Sequence, residues 1–351
     1  MTHPDPIRIS FIGAGGICEQ RHLPGLAQIP GIELVAVCNR SAESSRRIQQ
    51  KWGFARIESD WRKVVDDPGV DVIFIGTWPY LHRELSIAAL QAGKHVFCQA
   101  RMCMNYAEAM EMVAVAAAHP QLVSMICPSP FRVRWERTIH RLLAAGELGE
   151  LRAVTVCSLS SANVNRSPVS WRERIELSGD NILQVGIFAE ALHAWFGEYA
   201  TLSAMTSIPL PDKQDADGTN CTIRIPQVVH IQGTLRSGVA ISEFHSGLSA
   251  TECSEITFHG AERSCLVDLR AGQVSLWPRQ AGEDRQIVDG IGDPWEVEAD
   301  FIAAVRAARR CEPWRVSPDF PEAARYMRKM QALHESAASG NAVAIESADG
   351  R

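Results

Sequence analysis

Between a β-branched run at 7–12 and a helical pattern at 17–28, the chain reads Phe11-Ile12-Gly13-Ala14-Gly15-Gly16-Ile17-Cys18. Gly13 and Gly15 permit a tight strand-to-helix turn and let a pyrophosphate approach the backbone at the helix N-terminus. Cys18 stands where a third glycine is usual and is small enough for helix–strand packing. Gly13, Gly15, Gly16, Ile17 and Cys18 are therefore the candidate phosphate cradle. A second strand at 33–38 completes a βαβ unit, which demands a parallel sheet. Further strands at 70–76, 95–98 and 122–127 alternate with helical stretches at 82–92 and 106–118.

After residue 128 the pattern changes. Period-2 runs at 151–158, 221–225, 228–235, 240–246, 255–259 and 264–269 follow one another, the signature of a large, mainly antiparallel sheet. Amphipathic helices at 294–308 and 321–339 are expected to pack back on the first domain. At roughly 100 to 200 residues per domain, 351 residues make two. We expect an α/β chain: a doubly wound parallel domain over 1–127, then an α+β domain with an open sheet over 128–351.

Lys plus Arg number 35 against 41 Asp plus Glu, a net charge of -6 without a basic run, which argues against nucleic acid as a partner. The ten cysteines are scattered and no pair has CxxC spacing, so neither a metal site nor a redox pair is expected. No signal-length apolar segment opens the chain, and no run of about 18 apolar residues occurs. The expectation is a cytoplasmic protein, with no membrane partner and reduced thiols that fill core positions.

The second strand ends in Cys38-Asn39-Arg40-Ser41, with no acid to hold an adenosine ribose; Glu33 lies at the strand's other end. Asn39, Arg40 and Ser41 would accept a ribose 2'-phosphate that an Asp there would repel. This favours NADP as cofactor and leaves NAD possible.

The glycine turn, Val37-Cys38-Asn39-Arg40, Gly76-Thr77-Trp78-Pro79-Tyr80-Leu81-His82 and Ala92-Gly93-Lys94-His95-Val96-Phe97-Cys98 together resemble the glucose-fructose oxidoreductase, inositol dehydrogenase and rhizopine catabolism family, Gfo/Idh/MocA. Gly146-Glu147-Leu148-Gly149-Glu150-Leu151, Trp171-Arg172 and the stretch 179–197 agree with its later segments. The resemblance implies a Rossmann domain, a mixed α/β substrate domain and a nicotinamide cofactor at their junction. It also implies homo-dimers or homo-tetramers built through the open sheet. It places Thr77, Trp78, His82, Gln99, Trp171 and Arg172 on the cofactor side.

The departures bear on catalysis. Where the family usually reads Glu-Lys-Pro, with a proton-assisting Lys, this chain reads Gln99-Ala100-Arg101; where the family places Asp and then His four residues on, it has Gln184 and Phe188. At about 100° per residue, Gln184, Phe188, Ala191 and Trp195 share one face, expected to make a dry pocket, while Glu190 and His193 lie opposite as structural residues. Arg101 cannot serve as a base but can stabilise an oxyanion or clamp a carboxylate. Arg101 and Gln184 are therefore the candidates for polarising a substrate oxygen, with His82, Tyr80 or a water supplying the proton. Glu173 and Asp180 are further possible bases. Arg132, Arg134, Arg172 and Arg174 suggest an anionic or polyhydroxylated small molecule.

Three readings follow: an NAD(P)-dependent oxidoreductase acting on a sugar-like or carboxylated substrate, a lyase or hydrolase with transient oxidation, and a nucleotide-binding sensor without catalysis.

Overall fold

Strand β1 (Ile7–Ile12) carries four fully buried side chains in six positions, as a strand covered on both faces must. It pairs in parallel with β2 (Ile32–Cys38) on one side and β4 (Val72–Ile75) on the other; β3 (Arg56–Ile57), β5 (His95–Cys98) and β6 (Ser124–Ile126) complete the order β3-β2-β1-β4-β5-β6. This is a doubly wound sheet whose order reverses between β1 and β4, so their C-terminal ends frame the ligand crevice of such folds. The computed structural model describes residues 6–164, 168–277 and 284–346.

Phe11, Phe74 and Phe97 stand in register across β1, β4 and β5, with ring centroids 4.8 and 4.6 Å apart. The connecting helices are α1 (Leu23–Ala27), α2 (Ala42–Trp52), α3 (Trp61–Val65), α4 (Pro79–Gln91) and α5 (Tyr106–Ala118). The helix expected over 17–28 is instead a π turn, Cys18–His22, followed by α1, because Pro24 has no N–H to continue an α ladder. Helix α4 begins three residues earlier than read, with Pro79 at its first position.

The second unit is built on nine strands in the order β16-β15-β14-β13-β7-β12-β11-β8-β17. They are β7 (Leu151–Leu159), β8 (Tyr199–Ser207), β11 (Val228–Leu235), β12 (Ala240–Ser246), β13 (Cys253–Gly260), β14 (Ser264–Asp268), β15 (Gln273–Leu276), β16 (Gln286–Asp289) and β17 (Val343–Ala344), and only β7 with β12 is parallel. Cys221 lies in a separate hairpin of β9 (Asp212–Gln214) and β10 (Asn220–Thr222), a correction to the single-sheet reading. Helices α6 (Pro130–Ala144) and α8 (Val185–Phe196) put Trp135, Ile139, Leu142, Phe188, Leu192 and Trp195 into one core with the sheet's Val154, Val156, Ile231 and Ile256. The helix expected over 179–197 is shorter. Helix α7 (Ile175–Ser178) ends at Gly179, φ +61°, and Leu183 at φ +45° keeps the chain irregular until α8.

The chain divides into one unit of 1–128 with 296–324, which includes α9 (Val297–Arg309), and another of 129–295 with 325–351. The division falls inside α10 (Phe320–Ser339). Phe301 of α9 sets its ring edge-on to Phe74 and Phe97 at 5.6 and 5.3 Å. No described helix is long and apolar enough to cross a membrane.

Candidate functional site

The glycine turn is locked from below and open above. Gly13 has φ +84°, and a Cβ there would meet the Thr77 nitrogen at 2.7 Å; a Cβ on Gly76 would meet Cys18 Sγ at 2.4 Å and Gly13 O at 2.5 Å. The ends of β1 and β4 therefore interlock with no room for a side chain. Cys18 fills the gap beneath, and burial pushes its thiol up to about 12, so it is a neutral filler. On the other side, a Cβ on Gly16 would meet nothing within 4 Å and one on Gly15 nothing nearer than 3.9 Å. That open space lies at a helix start, a place that fits a pyrophosphate.

Asn39 ties the end of β2 to this turn: its Nδ2 donates to Ala14 O at 3.3 Å and to Ser44 Oγ at 2.9 Å. Its Oδ1 is buried without a hydrogen-bond partner among the described residues, as is Thr77 Oγ1. Ser41 caps α2 by accepting from Ser44 N. Arg40 is exposed, with its guanidinium 5.3 Å from the Trp78 ring centroid. The Trp78 indole, read from the resemblance as lying on the cofactor side, thus packs with Arg40, two residues after β2.

His82 is fully buried. Its Nδ1 lies 2.8 Å from Arg101 O and its Nε2 3.0 Å from Thr77 O. Burial pulls its pKa below the ordinary value against the pull of those carbonyls. Both nitrogens face carbonyls of the chain itself, and the one that carries the N–H donates to its carbonyl, so the ring packs between the loop after β4 and the loop after β5 and does not face open space; this argues against its reading as a proton supplier. Tyr80 is 41% exposed. Gln99 folds back so that its Oε1 accepts from Ala100 N at 3.2 Å, and Arg101 is buried. Thr77, His82 and Arg101 are thereby brought together, within hydrogen-bond reach of one ring.

In the second unit, Trp171–Glu173 forms a short turn boxed by Ser170. Glu173 accepts from Ser170 N at 3.1 Å and pairs with Lys213 at 2.5 Å, so it is held as a structural carboxylate, not a base. Arg172 lies over Trp171 at 4.4 Å. Arg174 pairs with Asp215, Arg132 with Glu190 at 2.6 Å, and Arg134 donates to the carbonyls of Ile291 and Gly272. The cationic set is thus largely taken up internally.

Gln184 is exposed at the N-cap of α8, and its carbonyl accepts from Ile187 and Phe188 N–H groups. The stripe that follows it is not a pocket. Phe188, Ala191 and Trp195 are buried in the core, and Phe188 touches Phe131 and His245 with ring centroids 5.1 and 5.4 Å away. Opposite, Glu190 takes Arg132 and Ser129 N, while both His193 nitrogens are buried without partners among the described residues; burial and then the Lys329 charge bring its pKa down to about 3.

One cluster escaped the sequence reading. Glu243 on β12 pairs with Lys329, accepts from Tyr199 Oη and lies 2.9 Å from His245 Nε2. All four side chains are fully buried. The signal was the alternation itself, since period 2 puts Glu243 and His245 on the same face as the buried Ile241. Among the described residues no group of three His, Cys, Asp or Glu is placed to hold a metal.

Residues 7–126 match a family model described as an oxidoreductase family with an NAD-binding Rossmann fold, and residues 137–264 match the GFO/IDH/MocA C-terminal domain. A levoglucosan dehydrogenase from Pseudarthrobacter phenanthrenivorans is 29% identical over 193 residues, 53% of this chain and 47% of that protein. A myo-inositol 2-dehydrogenase from Thermotoga maritima is 27% identical over 52% of each chain. The chain spans about half the length of the curated relatives it matches. Among solved structures, levoglucosan dehydrogenase in complex with NADH and L-sorbose superposes with a TM-score of 0.87 at 20% identity, covering 98% of this chain and 100% of that one. The super-repressor mutant of Gal80p from Saccharomyces cerevisiae superposes at 0.82 with 16% identity, over 97% and 98% of the two chains.

Proposed function

The chain belongs to the GFO/IDH/MocA oxidoreductase family, and from that premise we propose that it is an NAD(P)-dependent oxidoreductase moving a hydride to or from a sugar-like or carboxylated small molecule. The observation that carries this reading is the open cradle over Gly15 and Gly16, with the orphaned Asn39 Oδ1 and Thr77 Oγ1 beside it. When bound, the nicotinamide supplies the hydride chemistry. Gly13 to Cys18 and Asn39 hold the cofactor's phosphates and adenosine ribose, and His82 keeps the loops after β4 and β5 fixed. Arg40 on its Trp78 platform favours the ribose 2'-phosphate of NADP, because no carboxylate stands at the end of β2 to receive a free 2'-hydroxyl.

The named relatives act on polyhydroxylated rings, which supports a similar substrate class for this chain. Arg101 and Gln184 remain our choice for polarising a substrate oxygen. The outward face of the nine-stranded sheet, with Met205 66% exposed, is the surface through which we expect copies of the chain to associate.

The test is to incubate the purified chain with NADP+ or NAD+ and levoglucosan, myo-inositol or a 2-hydroxy acid while following the reduced-nicotinamide absorbance. Growth of that band supports the reading. Substrate consumption without it indicates the redox-neutral lyase. Cofactor binding with no turnover indicates a sensor, which Ala100 and the buried Phe188 favour.

A further inference from the structure

The turn that follows the glycine cradle is gripped from α9, by a side chain 276 residues further along the chain than its partner. Glu298 Oε1 lies 2.5 Å from Nδ1 of His22, the last residue of the π turn Cys18–His22, and both side chains are buried. A carboxylate only accepts, so the proton of this contact sits on Nδ1. His22 Nε2 is buried without a hydrogen-bond partner among the described residues, which leaves the Glu298 contact to set the direction of the ring. The other carboxylate oxygen faces α1: a Cβ on Gly25 would lie 2.7 Å from Glu298 Oε2 and 3.1 Å from its Cδ. One carboxylate is thus held between an imidazole and a helix backbone without a side chain. All of these groups belong to the first unit.

The local chain needs such a hold. Glu19 N donates back to Gly15 O at 3.1 Å and Leu23 N to Cys18 O, so the π turn is continuous with the cradle. Helix α1 beyond it has five residues, too few to fix its own course, since isolated helices shorter than about 12 residues are marginal in water. The His22 ring meets Phe97 edge-on at 5.1 Å, and Phe301, one turn after Glu298, meets the same Phe97 at 5.3 Å. An apolar side chain at position 298 would join that cluster without the cost of burying a carboxylate. What the carboxylate adds is direction, because a hydrogen bond has a preferred geometry and apolar packing has none.

We propose that Glu298 is a positioning residue for the nucleotide: acting through His22, it holds the turn that Gly15 and Gly16 lead into, where a pyrophosphate would meet the helix start. At 1% exposure it acts through the backbone it holds and not by contact with a ligand. The proposal rests on the dinucleotide reading above. It makes affinity for every pyrophosphate-bearing nucleotide depend on α9, while the choice between NADP and NAD stays with Arg40.

Glu298→Ala should raise the Kd of NADP+, NAD+ and ADP alike by about 10-fold or more, with the NADP+ to NAD+ ratio, the binding stoichiometry and the circular dichroism as in the parent. The titrations are made well below Tm, where a residue that only adds stability leaves Kd unmoved. Glu298→Gln can still accept from His22 and should stay within about threefold of the parent. Gly25→Ala pushes a Cβ against the same carboxylate, so it should weaken the nucleotides as well and add nothing in the Glu298→Ala background. Parental Kd values in a folded Glu298→Ala protein, or losses that multiply in the double variant, overturn the proposal. If Glu298→Ala does not fold, parental Kd values in Gly25→Ala overturn it. Without nucleotide, amide hydrogen exchange over residues 13–23, read by mass spectrometry, should be about 10-fold faster in either alanine variant, with β4 and β5 unchanged. Unchanged exchange over 13–23 overturns the proposal too. A parent that binds no nucleotide defeats the dinucleotide reading, while the exchange measurement still decides whether Glu298 holds the turn.

Discussion

Gly15 and Gly13 serve different purposes although they belong to one motif. A Cβ on Gly15 enters open space, so Gly15→Val should fold with a Tm within a few degrees of the parent while cofactor affinity, read by titration, drops about 100-fold or more. Gly13→Ala forces a Cβ against the Thr77 backbone at a left-handed φ and should cost about 1 to 3 kcal/mol of stability, measured by urea unfolding. Equal destabilisation by both substitutions would contradict this division. These roles are legible in sequence because glycine identity records a backbone demand. The roles of His82 and Glu173 are not. Whether a ring nitrogen or a carboxylate oxygen is free depends on partners such as the Arg101 carbonyl or Lys213, 19 and 40 residues away in the chain.

At the scale of elements, α6 and α8 are joined by a buried ion pair, Arg132 with Glu190, reinforced by Ser129 N on the same carboxylate at 2.8 Å. Glu190→Ala leaves Arg132 the half-exposed Glu136, 3.2 Å from its Nε, so it should cost about 1 to 3 kcal/mol, whereas the double change Arg132→Met with Glu190→Leu should recover most of it. Urea midpoints of the two singles and the double decide this, and additive losses would show that the pair does not act as a unit. The strands of the second sheet could be read from period-2 alternation because its core face is buried and its other face is not. Helix α8 was read too long because Gly179 and Leu183 take positive φ values, and Leu183 gives no compositional sign of that. The same slip turned Gln184 into a helix-face residue when it is the N-cap, and made a pocket lining of Phe188, Ala191 and Trp195, which are core.

Across the whole molecule, two buried histidines set a limit in acid. Burial, with Lys329 and Arg309 respectively adding to it, brings His193 down to about 3 and His95 to about 4, from an ordinary value of 6.5. Both rings fold neutral, so their contribution is present above pH 6.5 and is lost as pH falls from there toward 4 and then 3. At pH 4.5 the loss should be about 2 to 3 kcal/mol for each ring, seen as a falling urea midpoint that is flatter in His193→Gln. A parent midpoint that does not move between pH 7 and 4.5 would contradict the buried neutral rings. The change from alternating strands and helices to consecutive strands near residue 128 made two architectures legible from sequence. Which polar groups the second core would enclose was not, because Glu243 and His245 on one strand, Tyr199 on another and Lys329 on a helix meet from places far apart in the chain. The central claim is that the first unit is a working dinucleotide site with a bias toward the 2'-phosphate. Equilibrium titration of the full chain with NADP+ and NAD+, following tryptophan fluorescence, tests it most directly. Saturable binding with NADP+ the tighter, and a preference that shrinks by about 1 to 3 kcal/mol in Arg40→Ala, is the predicted result. No binding of either nucleotide, or Arg40→Ala weakening both equally, would contradict it.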